Sequence, residues 1–341
     1  MSKYLNKLSS IGDSSMSQII QDNLIELFDY ALVDAGGFYN VSIPTSGLYG
    51  GDKHKLRLVD DPRYTSGQVW EGFRSNWVWQ SGFSATNKEP KTLNNTVPDS
   101  VNYPNSSNYP GVSGIFVNGT FQPTSGVGAY KHHIDYPNGR VLFDSAIATT
   151  STVTAEFSYK WVKVTTANED FFREVQYRSQ RADGDFTLVG SGDYSQLADT
   201  RLQLPAIAVE VVKSRNLEPY SLGSVTHYVN TDVLFHVLAE DAHTRDKLVD
   251  VVSLQDENNI ELFDSDRIGR NDAFPLDYRG MVKKGAKDYP KLIEASGDGG
   301  FRSTVFASSS LTMNNPRVSI SEAISPNLHH GVVRINTEVI N

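Results

Sequence analysis

The strongest helix signal of this chain lies near residues 14–34, and after it the texture changes to strands. Ile19, Ile20, Leu24, Leu27, Phe28, Ala31 and Leu32 predict a helix over residues 14–34. Asp13 is placed to cap it and the Gly36-Gly37 pair to stop it. After Gly37 the period falls to two. An Asn-Gly pair joining two extended runs is the best short hairpin signal, because both residues tolerate positive φ. Asn118-Gly119 stands between Ile115-Phe116-Val117 and Thr120-Phe121. Asn138-Gly139 stands between residues 133–136 and 140–143. Val153, Ala155, Phe157, Tyr159, Trp161 (or Val162) and Val164 alternate over 152–164 as one long strand. The runs QVWEGF at 68–73 and WVW at 77–79 also read as strands. Residues 38–165 therefore read as an antiparallel β-rich domain inserted after the first helix.

A second pattern follows. Residues 168–180 read as a short amphipathic helix or an irregular link. Residues 204–212 predict a buried strand with Pro205 near its start. Residues 225–229 predict a second strand, and residues 233–239, apolar on both faces, a central third. Asp241 then caps a helix through Val252, with Arg245 and Asp246 outward and Leu248, Val249 and Val252 inward. Strand, strand, strand, helix is the order of a small α+β domain. Residues 255–310 are turn-rich, with GDGG at 297–300 as a turn. Val318, Ile320 and the 332–336 run alternate again, and the chain ends on a strand that can complete a sheet, in this subunit or another. The organisation expected is α+β: residues 1–37 as an N-terminal helix joining the α+β domain, 38–165 as the β-rich domain, and 166–341 as the α+β domain with its C-terminal strand. Between strands, residues 84–111 are Asn, Ser, Pro and Thr with few apolar anchors, a long loop able to reach a neighbouring subunit. No repeat of 20–50 residues is present.

Composition removes whole classes of function. Hydrophobic residues make up 39% of the 341 and charged residues 21%, enough for a packed core. Without cysteine, disulfides, thiolate zinc sites, iron–sulfur clusters and cysteine nucleophiles are excluded together. The net charge of −9 argues against a broad cationic surface for phosphates. No segment has the roughly 18 consecutive apolar residues of a membrane helix, and the N-terminus has no apolar signal core. Asn-X-Ser/Thr triplets at Asn40, Asn94, Asn105 and Asn118 then read as accidents of an Asn/Ser-rich chain.

The search for reactive residues is correspondingly thin. His132-His133 and His329-His330 are adjacent pairs, which on a strand face opposite ways and do not share a metal. Asp135 near the first pair does not complete any recognised ligand spacing. Asp60-Asp61-Pro62 reads as a turn and Glu240-Asp241 as a helix start. Asp264-Ser265-Asp266 lacks the rest of a calcium loop. The 47–53 stretch GLYGGDK superficially resembles a phosphate loop, but Asp52 separates the glycines from Lys53. No nucleophile elbow occurs. Trp70, Trp77 and Trp79 read as a core plug, with a sugar platform as the alternative. The expectation is no catalytic residue, no cofactor-binding residue and no metal: the chain is not an enzyme and carries no cofactor.

Two stretches resemble structural proteins of tailed phages. The first is FYNVSIPTSGLYGGDKHKLRLVDDPRYTSGQVWEGFRSNWVW, continued by HHIDYPNGRVLFDSAIATTSTVTAEFSYKWVKV at 132–164. It is similar to virion proteins of contractile-tailed phages, including marine and cyanobacterial ones. The second, about 201–254, with TRLQLPAIAVEVV and VLFHVLAEDAHTRDKLVDVV, is similar to the small α+β fold of tail-terminator proteins. In that family the domain follows an N-terminal helix, which 14–34 supplies, and the β-rich segment would be an insertion. The resemblance implies a homo-oligomeric ring, commonly a hexamer, at the neck or tail end of the virion: a tail terminator or head–tail connector assembled in the host cytoplasm. Its partners would be other neck, tail-tube or sheath proteins, with DNA only passing through the channel and no membrane. The competing readings are a baseplate or tail-fibre protein that binds host glycan, and a polysaccharide hydrolase with two carboxylates across a groove.

Overall fold

The computed structural model describes residues 16–41, 43, 53–80, 112, 114–124, 126–168, 170–172, 175, 203–219, 227–263, 276–283, 289, 292, 310–321 and 328–340. The chain is a mixed helix-and-strand protein dominated by sheets.

Helix α1 (Met16–Asp34) buries Met16, Ile19, Ile20, Leu24 and Phe28 along one stripe. It stops where the glycine pair predicts. Gly36 takes φ 89°, its N–H bonds to the Val33 carbonyl at 2.8 Å, and Gly37 N–H bonds to the Leu32 carbonyl at 2.8 Å. Those two bonds are the Schellman closure, which needs a residue free to adopt positive φ. The expected cap, Asp13, lies outside the described residues. Asn23 is a polar residue within the apolar stripe. Its Nδ2 donates to the carbonyls of Ile19 (2.8 Å) and Phe263 (2.7 Å), and its Oδ1 accepts from Phe263 N–H at 2.9 Å. The buried amide is thereby satisfied and fastens a distant segment to the helix.

The β-rich region holds a seven-stranded antiparallel sheet. Its order is β5 (Thr120–Pro123), β4 (Gly114–Val117), β8 (Val153–Thr154), β2 (Lys55–Leu58), β3 (Val69–Glu71), β7 (Arg140–Phe143) and β6 (His132–Asp135). Beside it lies the pair β1 (Phe38–Val41) and β9 (Phe157–Lys160). Trp70, Trp77 and Trp79 are 3%, 0% and 5% exposed, and Trp77 stacks on Phe157 with centroids 4.2 Å apart. These three are core, which removes the sugar platform they suggested. Residues 77–79 form a single bridge, Trp77 to Tyr159, rather than a strand. Asn118 and Gly119, at φ 50° and 81°, make the expected two-residue turn. The second Asn-Gly closes a longer loop: Asp135 pairs with Arg140, so residues 136–139 form the turn and only Gly139 has positive φ. Asp135 tightens it by accepting the Asn138 side-chain amide at 2.8 Å.

The expected strand over 152–164 is instead three strands in three sheets. After β8 and β9 the chain runs straight into β10 (Lys163–Thr166), which belongs to the third sheet. Val153, Ala155 and Phe157 stay buried across the first break. Period-two alternation records which side faces a core; it does not record which strand is the neighbour.

The third sheet has the order β10, β11 (Ala206–Pro219), β12 (His227–Ala239), β15 (His329–Ile340), β14 (Ser310–Ile320) and β13 (Asn259–Glu261). The β10–β11 pair is parallel and the others antiparallel. Ile207, Val209, Val233, Phe235, Val237, Val333, Ile335 and Val339 face α1 and α2 (Ala242–Ser253), forming one core. The two strands expected at 225–229 and 233–239 are one. Asn230-Thr231-Asp232 reads as a break, yet Thr231 hydroxyl donates to the Val212 carbonyl (3.0 Å), and Thr337 hydroxyl donates to the Thr231 carbonyl (2.9 Å). Thr231 is thus satisfied within the sheet, and Asp232 pairs with Arg334 of β15. The strand centred on 233–239 lies between β11 and β15.

Asp241 caps α2: its carboxylate accepts Thr244 N–H and hydroxyl, each at 2.8 Å. Arg245, expected outward, is buried. Its stem lies beside Gly331, where a Cβ would come within 2.9 Å of Val249 Cγ2 and 3.5 Å of Arg245 Cδ. Its guanidinium reaches Asp246 at 2.7 Å. The C-terminal strand is an inner strand of this chain's own sheet, between β12 and β14.

Candidate functional site

Two polar assemblies stand out, one where α1 meets the β-rich region and one on the face of the third sheet turned from α1 and α2.

At the first, Glu26 and Asp29 lie three residues apart on α1, on the side turned from its apolar stripe. Asp29 Oδ2 accepts from Lys160 Nζ of β9 and from Gln80 Nε2 at 2.9 Å. Lys160 and Gln80 are both buried. A cavity of about 150 Å³ is bounded by Glu26, Asp29, Asn76, Trp77, Trp79 and Lys160. Burial, and then the neighbouring Asp29 charge, push the Glu26 carboxyl up to about 7, against the pull of Lys160. Burial, with Glu26 adding to it, also pushes the Tyr289 hydroxyl well above its ordinary range. Chemically this is an acid of neutral pKa beside a closed ion pair. A glycosidase needs two carboxyls flanking the scissile bond; here both sit on one helix face and one is consumed by lysine. The sequence gives no pointer to this cluster. Glu26 and Asp29 look like the solvated side of an amphipathic helix, and Lys160 like an outward residue of an alternating strand.

The second assembly follows from pleating. Residues 207, 209, 233, 235 and 237 face the helices, so Glu210, Asp232, Leu234 and His236 face away, with His330, Arg334 and Asn336 from β15. Phe171, Val175 and Leu328 pack on Ala206, Ala208 and Leu238 at one end. Beyond them the face is polar. Arg334 pairs with Asp232, whose carboxyl it holds below the ordinary range. His236 Nε2 lies 3.0 Å from Glu210 Oε2, and His236 Nδ1 lies 3.3 Å from His330 Nε2. His330 Nδ1 is 3.3 Å from Ser321 Oγ.

The other sequence candidates disperse. His132 is buried against Phe143, with Nδ1 2.9 Å from the Tyr130 carbonyl, and burial takes it down to about 4. His133 faces the other way, 2.8 Å from Asp144. Asp61 binds Arg63 at 2.7 Å, which with the backbone of the same residue takes its carboxyl to about 2. Glu240 and Asp241 stand at the start of α2. The 264–266 triplet, the 47–52 glycines and the 297–300 turn lie outside the described residues, as does 84–111. Among the described residues no three His, Asp or Glu converge on one point. No described helix is long and apolar enough to cross a membrane.

No family model and no curated protein matches the chain.

Proposed function

We propose that the chain is a structural subunit of a tailed-phage virion, forming a ring at the neck or tail end as a tail terminator or head–tail connector, without catalysis. The observation that carries this reading is the polar outer face of the third sheet. Among the described residues, four strands of 11–14 residues have α1 and α2 on one side, and on the other Phe171, Val175 and Leu328 cover one end. The other side offers a carpet of Glu210, Asp232, His236, Arg334 and Asn336, with Arg334 54% exposed at its side chain. At the far end of β14, Val318 and Ile320 are also exposed. A sheet dressed this way suits a heterologous contact, in which one subunit's face meets a different patch on the next and the rotation closes a ring. The net charge of −9 suits a collar around DNA, since like charge keeps phosphates from adhering. Neighbours would be neck, tail-tube or sheath proteins. Native mass spectrometry and electron microscopy of tails assembled with the protein test it: rings on tail ends are expected, weakened by Arg334→Glu. A monomer at all concentrations that never joins a tail overturns it.

A second reading, a baseplate or tail-fibre protein holding host glycan, moves from the buried tryptophans to another place. Tyr39, Arg74, Tyr159, Trp161, Glu240 and Thr244 border a groove of about 280 Å³. Tyr39 and Tyr159 pair at 5.5 Å with Tyr39 exposed. Glycan-array binding abolished by Trp161→Ala would favour it over the ring.

A further inference from the structure

We propose that the β13–β14 edge of the third sheet docks a second copy of this chain about a two-fold axis, with β13 of each copy laid beside residues 317–320 of the other. The ring reading asks for a heterologous contact and this one is isologous, so either stands without the other.

The edge is a step. β13 covers one end of β14, pairing Asn259–Glu261 with Ser310–Thr312. The chain's own cover continues to Asn315. Met313 N–H donates to the Asn258 carbonyl at 2.9 Å, and Glu257 N–H donates to the Met313 carbonyl at 2.8 Å. Asn315 N–H donates to the Asp256 carboxylate at 2.9 Å. There a bulge intervenes: Asn315 takes φ 53°, Pro316 has no N–H to give, and the register with β15 shifts between Asn314 and Arg317. Among the described residues nothing pairs with β14 on that side beyond the bulge. Arg317, Val318, Ser319 and Ile320 are all exposed, Val318 by 49% and Ile320 by 51%. An apolar sheet edge left open is a template for another strand.

The alternation of an antiparallel ladder says which groups the open part presents. Met313 turns its N–H and C=O away from β15, so Asn314 and its partner Asn336 turn theirs toward each other. Farther along β15, Arg334 and Val332 do the same toward Arg317 and Ser319. Val318 and Ile320 therefore direct both backbone groups at the open edge. Their side chains share the helix-covered face, because their partners are Val333 and Gly331. Arg317 lies on the polar face with Arg334.

A two-fold rotation perpendicular to the sheet sets the covered end of one edge against the open end of the other, and keeps each face on its own side. β13 then enters as the missing strand, and its pattern matches. Ile260, buried on the helix-covered face, comes beside Val318 and Ile320 of the partner subunit. Glu261, exposed on the polar face, comes beside Arg317 of the partner subunit. Within one chain Arg317 stands across from Arg334, and Asp232 pairs with Arg334. An acid from the second copy thus relieves a like-charge contact that the chain leaves in place.

Analytical ultracentrifugation and amide hydrogen exchange of the full chain test the contact. A dimer is expected, with the Val318 and Ile320 amides gaining protection as concentration rises. Val318→Lys, the kind of charge that blunts natural edges, should leave a monomer. Arg317→Glu and Glu261→Arg should each weaken the dimer about 10-fold, since the symmetry applies each change twice. Both together in one chain should restore it. All three residues are exposed, so the substitutions leave the fold in place. A monomer at all concentrations overturns the proposal. So does an assembly of any size that is indifferent to Val318→Lys and to the charge exchange. The exchange readout needs no variant.

Discussion

The β-rich region and the third sheet build cores from opposite materials. In the first, no described strand exceeds four residues, and cohesion comes from large rings and turns: Trp77 on Phe157, Trp70 Nε1 donating to the Gly67 carbonyl at 3.0 Å, Arg140 bound to Glu71 at 3.0 Å. In the second, strands of 11–14 residues carry aliphatic side chains under two helices, and the ladder itself does most of the joining. Short strands supply few ladder bonds, so a region made of them depends on each buried ring. Long strands spread the same stabilisation over many replaceable contacts.

That contrast can be broken most directly at Trp77. Trp77→Ala should cost ~3–5 kcal/mol, with hydrogen exchange rising throughout the β-rich region while β12 and β15 stay protected. Uniform loss of protection in both would mean that the cores are one cooperative unit.

The joint between them comes next. Lys160→Met leaves the half-buried Asp29 without its cation and should cost ~1–3 kcal/mol. Lys160→Met with Asp29→Leu should recover most of it. Chemical denaturation of the wild type, both single variants and the double variant gives the coupling, and a double variant as weak as Lys160→Met alone would show that the pair does more than neutralise itself.

Glu26 sharpens the same joint through pH. Its folded pKa, about 7, is raised from an ordinary value of 4.5. The folded chain therefore holds the proton more tightly than the unfolded one. This contribution is complete below pH 4.5 and is lost as pH rises through 7. Melting temperature should fall across that window in the wild type, and the fall should be smaller in Glu26→Gln. The smallest effect lies in the third sheet: Asp241→Ala removes the α2 cap and should cost ~1 kcal/mol by thermal denaturation.

Local signals were legible where chemistry is local. The Gly36-Gly37 stop, the Asn118-Gly119 turn, the Asp241 cap and the burial of Trp70, Trp77 and Trp79 each depend on residues within a few positions or on ring size alone. What needed the tertiary structure involved partners far along the chain. Asn230-Thr231-Asp232 looks like a break until Val212, Thr337 and Arg334 are beside it. Arg245 looks like a surface residue until Gly331 makes room for its stem. Glu26, Asp29 and Lys160 converge from 131 positions apart, and Glu210, His236 and His330 from three strands. The α+β class could be read from the order of patterns; which strand adjoins which could not.

Residues 153–166 give the molecule a seam. Within that stretch one thread enters the seven-stranded sheet, the two-stranded sheet and the six-stranded sheet in turn, and only Trp161 and Val162 separate the last two. Trp161 is itself tied down, its N–H bonded to the Gly37 carbonyl at 2.7 Å. A pull on either end of this thread is therefore delivered to all three sheets with no slack to absorb it, and mechanical load passes through the molecule as through a rivet rather than a hinge.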